Sequence, residues 1–249
     1  MMPIQPPGAA VHVWYVQPQK VSEPLLAHYM SLLPAEERTR GQRYHFEKDR
    51  RLYVVSQALV RIVLSAYQGI APTAWQFRKN PYGKPALVPQ SGMAPLSFNL
   101  SHTDGLVACA VTLEQAIGVD VEHLDRAGLS MTVARNYFAP AEISYLETLS
   151  TELQRQALFV LWTLKEAYVK ACGLGLSLPL DSFAFTLDPL SITFTAPLED
   201  NPQHWQFACH SPTHWHILSI AVQRRGADLP IIFREIIPMV TDLDTALKQ

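Results

Sequence analysis

The sequence predicts an α/β (α+β) protein made of two similar α/β halves. Each part of the chain contains one long helical pattern, and two strand-like segments stand in a comparable order in each part. The motif Gln-Ala-Leu-Val-Arg at residues 57–61 also aligns with Glu-Ala-Tyr-Val-Lys at residues 166–170. We therefore expect halves at residues 1–115 and 116–249, related by a pseudo-twofold axis, with the active site in the cleft between them.

Composition limits the classes of protein that this chain can belong to. Of its 249 residues, 48% are hydrophobic and 17% are charged, which is ordinary for a globular protein. A formal net charge of −2 disfavours a general nucleic-acid binder. Three isolated cysteines fit a reducing compartment, and we find neither a signal peptide nor an apolar run of membrane length. We expect a cytoplasmic protein with no nucleic-acid or membrane partner.

In the first half, alternating residues 11–16 predict a strand. A dense charge run at residues 34–50 leads into a long helix, which we expect to end at Gly69. The apolar residues of this helix recur at spacings of three and four: Leu52, Val55, Leu59, Ile62 and Val63.

A turn and two strands complete the first half. Residues 80–85 form a polar turn that contains Gly-Lys-Pro. Residues 96–100 and 106–111 read as two strands joined through an Asp-Gly turn at residues 104–105.

In the second half, we expect a helix over residues 158–172 that ends at Gly173. A strand at residues 183–185 and a hairpin formed by residues 205–207 and 217–222 follow, and the tail from residue 226 receives no role. The hairpin region is rich in possible zinc ligands, but their spacing fits no common zinc pattern: His204, His210, His214, His216 and Cys209.

Gly-Val-Asp-Val-Glu at residues 118–122 is the most informative segment. Asp120 and Glu122 are two apart in a strand-like run, so their carboxylates should project from the same face. Glu166 lies in the second long helix, and Lys170 lies one turn further on. Three carboxylates with nearby lysines predict a site for a hard divalent cation and a phosphate-bearing ligand.

Several ordered motifs resemble those of the Sfp-type 4′-phosphopantetheinyl transferases. They are Gly-Lys-Pro at residues 83–85, Asn-Leu-Ser-His at 99–102, Gly-Val-Asp-Val-Glu at 118–122, and the segment 162–170 with Lys-Glu-Ala at its centre. Each motif is common by itself, but their order and spacing together are specific over residues 38–175. The family's basic residues ahead of the first long helix vary, and five arginines compete for that place here: Arg38, Arg40, Arg43, Arg50 and Arg51.

The resemblance implies a monomeric, cytoplasmic enzyme with two pseudosymmetric halves. Such enzymes transfer the 4′-phosphopantetheine arm of coenzyme A to a serine of an apo acyl or peptidyl carrier protein. Mg²⁺ is required, and adenosine 3′,5′-bisphosphate is released. The Sfp-like form serves polyketide, nonribosomal peptide or fatty-acid biosynthesis.

The resemblance also suggests roles for individual residues. Asp120, Glu122 and Glu166 are expected to bind Mg²⁺, with Glu166 as the base that takes the serine proton. Coenzyme A is expected to contact a second group of side chains: Lys84, Ser101, His102, Lys165, Lys170, Arg40 and Arg43. In that group Lys170 and Lys165 are expected to contact phosphates, and Lys84 the adenine or its phosphate. Ser101 and His102 are expected to contact the 3′-phosphate and neighbouring phosphates. Arg40 and Arg43 are expected to surround the 3′-phosphate.

Two other functions stay open at this point. One is a non-catalytic module with the same fold that binds coenzyme A or a carrier protein. The other is a different Mg²⁺-dependent transferase or hydrolase that acts on a nucleotide pyrophosphate. The products formed with coenzyme A and a carrier protein would distinguish all three.

Overall fold

The computed structural model describes residues 10–196 and 198–237. Its α-helices are α1 (Glu23–Ser31), α2 (Ala35–Gln42), α3 (Glu47–Gln68), α4 (Met131–Tyr137), α5 (Pro140–Glu147) and α6 (Thr151–Cys172). Its strands are β1 (Val11–Val16), β2 (Phe77–Lys79), β3 (Pro85–Leu87), β4 (Leu96–Thr103), β5 (Leu106–Leu113), β6 (Ile117–His123), β7 (Phe183–Leu187), β8 (Leu190–Phe194), β9 (Trp205–Thr213), β10 (His216–Gln223) and β11 (Ile231–Glu235). None of these helices is long and apolar enough to cross a membrane.

The described chain divides into two compact units. The first contains residues 10–79, 85–114 and 230–237, and the second contains residues 80–84 and 115–229 without Pro197. In the first unit, α3 packs on β4 and β5 of a four-stranded sheet with the order β11-β1-β5-β4. In the second unit, α6 packs on β6 and β10 of a three-stranded sheet with the order β6-β10-β9.

The two units repeat one plan, as the aligned motifs indicate. Each has a strand that pairs antiparallel with the second strand of a later hairpin, giving the equivalent orders β1-β5-β4 and β6-β10-β9. Each has a 22-residue helix that ends at a glycine in the left-handed conformation, Gly69 (φ 65°) or Gly173 (φ 70°). The predicted α/β (α+β) class is confirmed.

The structure differs from the predicted division in two segments. Residues 80–84 belong to the second unit, because Asn80 Nδ2 donates to Gly173 O at 2.7 Å. Residues 231–235, which received no role from sequence, form β11 and pair parallel with β1 in the first unit. The structure also starts α6 at Thr151 rather than at residue 158, and it adds β8 as the antiparallel partner of β7.

Candidate active site

The candidate site is built where α6 lies directly against β6. A Cβ atom added to Gly118 would lie 1.9 Å from Ala167 O and 2.5 Å from Ala171 N, so only a glycine fits beneath the helix. Because strand residues alternate, Asp120 and Glu122 share this face with Gly118. The close approach therefore brings the carboxylates of β6 beside the polar residues of α6.

Asp120 and Lys170 form the first ion pair of the site. Lys170 Nζ lies 2.6 Å from Asp120 Oδ1. The Asp120 side chain is 6% exposed and that of Lys170 is 28% exposed, so the pair lies at the edge of the core with its cation toward solvent. Sequence analysis had predicted that Lys170 and Asp120 serve the same site, and the structure brings them into contact.

Glu122 is held by two groups from different segments. Arg126, in the turn after β6, forms an ion pair with Glu122 Oε1. Trp162 of α6 donates its indole N–H to the same oxygen at 3.2 Å. The Arg126 guanidinium also lies over the Trp162 ring, 5.9 Å from its centre. Trp162 thus contacts the site through Glu122, in addition to packing at 6.4 Å from the Phe138 ring.

The surroundings of Glu166 disfavour the negatively charged form of its carboxyl group. Burial raises the pKa of Glu166, and the neighbouring Asp120 raises it further. The positive charges of Lys170 and Arg126 lower that pKa but do not offset the increase. A half-buried carboxylate with a raised pKa holds a proton more readily than an exposed carboxylate does.

The donor types of this cluster suit Mg²⁺, which prefers oxygen ligands and retains water. Asp120, Glu122 and Glu166 supply only carboxylate oxygens, and burial together with the charge of Asp120 opposes the negative charge of Glu166. Among the described residues, however, no group of three or more acidic, histidine or cysteine side chains stands arranged to hold a metal ion. Lys170 and Arg126 are bound to two of the three carboxylates instead.

Lys165 does not occupy the position that sequence analysis predicted for it. Its side chain is 0% exposed, and its Nζ lies 2.7 Å from Glu142 Oε2, whose side chain is equally buried. The same ammonium donates to Leu180 O and Phe183 O, both at 2.7 Å. These three acceptors use all three N–H groups. The prediction that Lys165 contacts a phosphate of coenzyme A is therefore wrong. Instead, Lys165 joins α6 to α5 and β7.

We expect Lys165→Met to lower the free energy of unfolding by about 3 kcal/mol, because it leaves Glu142 buried without its cation. The double variant Lys165→Met/Glu142→Gln should recover part of this loss, since it removes the buried charge as well. Urea unfolding of both variants measures the effect. If the Lys165→Met protein kept the stability of the parent but had a raised KM for coenzyme A, the result would support the predicted phosphate contact instead.

Lys84 of the Gly-Lys-Pro turn holds the end of α6. Its Nζ donates to Ala171 O and to Ile117 O, both at 3.0 Å, so it joins the last turn of the helix to the start of β6. Burial lowers the pKa of Lys84 to about 8. An ammonium has three N–H groups, so the predicted contact with the adenine or its phosphate needs the third one.

The remaining predicted ligand contacts lie in the first unit. Ser101 and His102 are neighbours on β4, and they alternate as a strand requires: Ser101 is buried and His102 is exposed. Arg40 and Arg43 are both exposed at the end of α2, with the Arg40 guanidinium 5.7 Å from the centre of the Tyr53 ring. Contact of these four residues with coenzyme A stays a prediction.

Two residues of this region escaped sequence analysis. Arg126 follows Glu122 by four positions, but a single arginine in a turn has no distinctive pattern. Glu142 accepts from Ala139 N at 3.0 Å and from Phe185 N at 2.9 Å, besides binding Lys165. Its place in the first turn of α5, after Pro140, signals a helix cap but not a buried ion pair.

Comparison with known proteins covers both units. A family model described as "4'-phosphopantetheinyl transferase, N-terminal" matches residues 18–114, and one described as "4'-phosphopantetheinyl transferase superfamily" matches residues 116–222. The chain is 33% identical over 216 residues to the 4′-phosphopantetheinyl transferase HetI of Nostoc sp. (strain PCC 7120), which covers 87% of this chain and 89% of that protein.

Two further comparisons concern a second relative and a solved structure. The chain is 32% identical over 159 residues to the 4′-phosphopantetheinyl transferase Sfp of Bacillus subtilis (strain 168), covering 64% of this chain and 68% of that protein. Among solved structures, the holo-[acyl-carrier-protein] synthase of Thermotoga maritima is similar with a TM-score of 0.37 and 16% identity, over 45% of this chain and 64% of that one. Because the relatives share a third of their residues with this chain over most of its length, the chain belongs to the 4′-phosphopantetheinyl transferase superfamily and is an enzyme of that type.

Proposed function

We propose that this enzyme transfers the 4′-phosphopantetheine arm of coenzyme A to a serine of an apo carrier protein with the help of Mg²⁺. In this reaction the serine oxygen forms a bond to the phosphorus that carries the pantetheine. The bond from that phosphorus to the bridging pyrophosphate oxygen breaks, and adenosine 3′,5′-bisphosphate leaves. The serine proton passes to a base of the enzyme.

The observation that supports this proposal is the convergence of four charged side chains from β6 and α6. Lys170 lies 2.6 Å from Asp120, and Glu166 lies close enough to Asp120 for the two charges to interact. Glu122 projects from the same strand face as Asp120. Carboxylates for a cation and a lysine for a phosphate are the groups that phosphoryl transfer requires.

Asp120, Glu122 and Glu166 would hold the Mg²⁺ ion through carboxylate oxygens. When bound, Mg²⁺ polarises the attacked phosphate and neutralises the charge that develops on the leaving phosphate. Lys170 adds a second positive charge on the exposed side of Asp120, where it can bind a phosphate oxygen as a point charge.

Glu166 is the base in this proposal. Its raised pKa makes the carboxylate a stronger proton acceptor than an exposed glutamate, so an Oε atom can take the proton from the serine hydroxyl. Asp120 contributes by its charge, which helps to raise that pKa. The half-buried position of Glu166 supports a proton transfer at the boundary between core and solvent.

The remaining proposed roles concern the binding of coenzyme A. Ser101, His102, Arg40 and Arg43 of the first unit bind the phosphates of coenzyme A, as arginine forks and hydroxyl groups suit phosphate oxygens. Lys84 supplies its third N–H to the adenine or its phosphate. The second unit holds the metal and the base. We further propose a monomeric enzyme of the cytoplasm that serves a polyketide, nonribosomal peptide or fatty-acid pathway.

Intact-protein mass spectrometry of apo carrier proteins tests the proposed reaction. After incubation with the enzyme, coenzyme A and Mg²⁺, we expect a mass gain of one phosphopantetheine group on the carrier. EDTA should prevent the gain, and excess Mg²⁺ should restore it. A carrier protein in which the acceptor serine is replaced by alanine is the matched control and should stay unmodified.

Each alternative gives a different product pattern in the same assay. Hydrolysis of coenzyme A without modification of any carrier would identify an enzyme that acts on the pyrophosphate with water. Binding of coenzyme A without any product would identify a binding module. Modification that persists unchanged in EDTA would keep the transferase but exclude the metal from its mechanism.

A further inference from the structure

We propose that Arg126 is a counter-ion that occupies Glu122 in the metal-free enzyme and leaves Glu122 when a divalent cation binds, so that Arg126 weakens metal binding. This inference rests on the proposed function, because it concerns the three carboxylates assigned there to the metal. Arg126 lies outside the motifs that resemble those of the family, so the proposed function assigns it no role.

Arg126 and Glu122 are in direct contact through their side chains. Arg126 binds Glu122 Oε1, the same atom to which the Trp162 indole N–H donates at 3.2 Å. The Glu122 side chain is 8% exposed, whereas that of Arg126 is 46% exposed. The arginine can therefore move into water, while the carboxylate is fixed among its neighbours.

The charges of the cluster also favour exchange of Arg126 for a metal ion. Asp120, Glu122 and Glu166 bring three negative charges together, and Lys170 and Arg126 bring two positive charges to them. A buried carboxylate without a cation is costly, so a metal-free site needs these two partners. A divalent cation supplies the same charge by itself, and it needs the oxygen of Glu122 that Arg126 occupies.

Arg126 and a divalent cation therefore compete for Glu122. A metal binds the fraction of molecules in which Arg126 has released Glu122, so the apparent dissociation constant is raised by the inverse of that fraction. Removal of the guanidinium should increase the fraction of molecules in which Glu122 can bind the metal, while Lys170 still pairs with Asp120.

Mn²⁺ titration of the full chain, followed by the electron paramagnetic resonance signal of free Mn²⁺, tests the inference without any turnover. We expect Arg126→Gln to bind Mn²⁺ roughly three- to tenfold more tightly than the parent. Arg126→Lys, which keeps the charge, should bind with an affinity close to that of the parent.

Arg155→Gln is the matched control. Arg155 is a neighbouring exposed arginine, 56% exposed, that pairs with Asp125 at 2.8 Å and donates to Leu124 O rather than to a carboxylate of the site. Its replacement should leave Mn²⁺ affinity unchanged. Thermal unfolding of each variant checks that the fold is retained.

The possible outcomes separate this inference from the proposed function. Equal or weaker Mn²⁺ binding by Arg126→Gln would overturn the role of Arg126, even where carrier modification by the parent enzyme is intact. An equal gain in affinity for Arg155→Gln would also overturn it, because general surface charge would then be the cause. Absence of Mn²⁺ binding in the parent and in every variant would remove the metal site itself, and the carrier assay would then decide whether transfer occurs.

Discussion

Glu166→Gln is expected to lower the rate of phosphopantetheine transfer about 10²- to 10⁴-fold while making the metal-free protein more stable above neutral pH. The loss of rate follows because glutamine cannot accept the serine proton and is a weaker metal ligand. The gain in stability follows because the substitution removes a charge that burial and Asp120 both oppose. Few substitutions outside a functional site would lower the transfer rate and raise the stability at the same time.

The stability effect has a definite dependence on pH. The pKa of Glu166 is raised in the folded enzyme above its ordinary value. The contribution of its carboxyl group to stability is therefore complete below the unfolded-state pKa of about 4.3 and is lost as pH rises through the raised folded-state pKa. Each unit of difference corresponds to about 1.4 kcal/mol. Thermal unfolding in EDTA should show a gain for Glu166→Gln at pH 8 and almost none at pH 4.

Glu152→Gln is the matched control for this prediction. Glu152 is exposed in the first turn of α6, where the helix dipole favours its negative charge. Its replacement should leave the transfer rate unchanged and should not raise stability. A Glu166→Gln enzyme with the parent rate would mean that another group takes the proton. A less stable Glu166→Gln protein at pH 8 would mean that the charge of Glu166 is favourable in the folded state.

Gly118→Ala is expected to cost more than about 3 kcal/mol of stability, beyond the usual range for overpacking, and to abolish transfer. The added methyl group would lie 1.9 Å from Ala167 O and 2.5 Å from Ala171 N. Both are backbone atoms of α6, so no side-chain rotation can relieve the contact. The helix must move away from β6, and its Glu166 and Lys170 would move with it.

Urea unfolding and the carrier assay together measure this effect. Gly41→Ala is the control, because its added Cβ would meet the edge of the Tyr53 ring at 3.3 Å and because alanine favours the helix in which Gly41 stands. We expect that variant to keep its stability within about 1 kcal/mol and its activity unchanged. A Gly118→Ala enzyme with the stability and activity of the parent would show that α6 and β6 are further apart than the structure has them.

The sequence predicted those parts of the site that depend on local geometry. Asp120 and Glu122 lie on one strand face, and Glu166 and Lys170 lie one helical turn apart, so the periods of strand and helix suffice to group them. The prediction for Lys165 was wrong because the environment of a helical side chain depends on which element covers its face of the helix. Its partner Glu142 stands in another helix, and only tertiary packing reveals the pair.

The fold was predicted to a similar extent. Strong alternation and regular apolar spacing identified β1, α3 and the hairpin of β9 and β10. β11 escaped notice because its pairing partner is β1, at the opposite end of the chain. A short strand with a distant partner carries little information about its own role, and the same holds for the turn at residues 80–84, whose hydrogen bonds reach Gly173 and Ala171.

The parallel pairing of β11 with β1 has a consequence for the biosynthesis of the enzyme. β1 is made before the second unit, and the strand that covers its outer edge is made only after the whole second unit. Until then, β1 presents an open row of backbone donors and acceptors, the kind of edge at which chains pair wrongly. The nascent first unit therefore stays incomplete until β11 is made, and a fragment that stops at residue 115 would keep that open edge permanently.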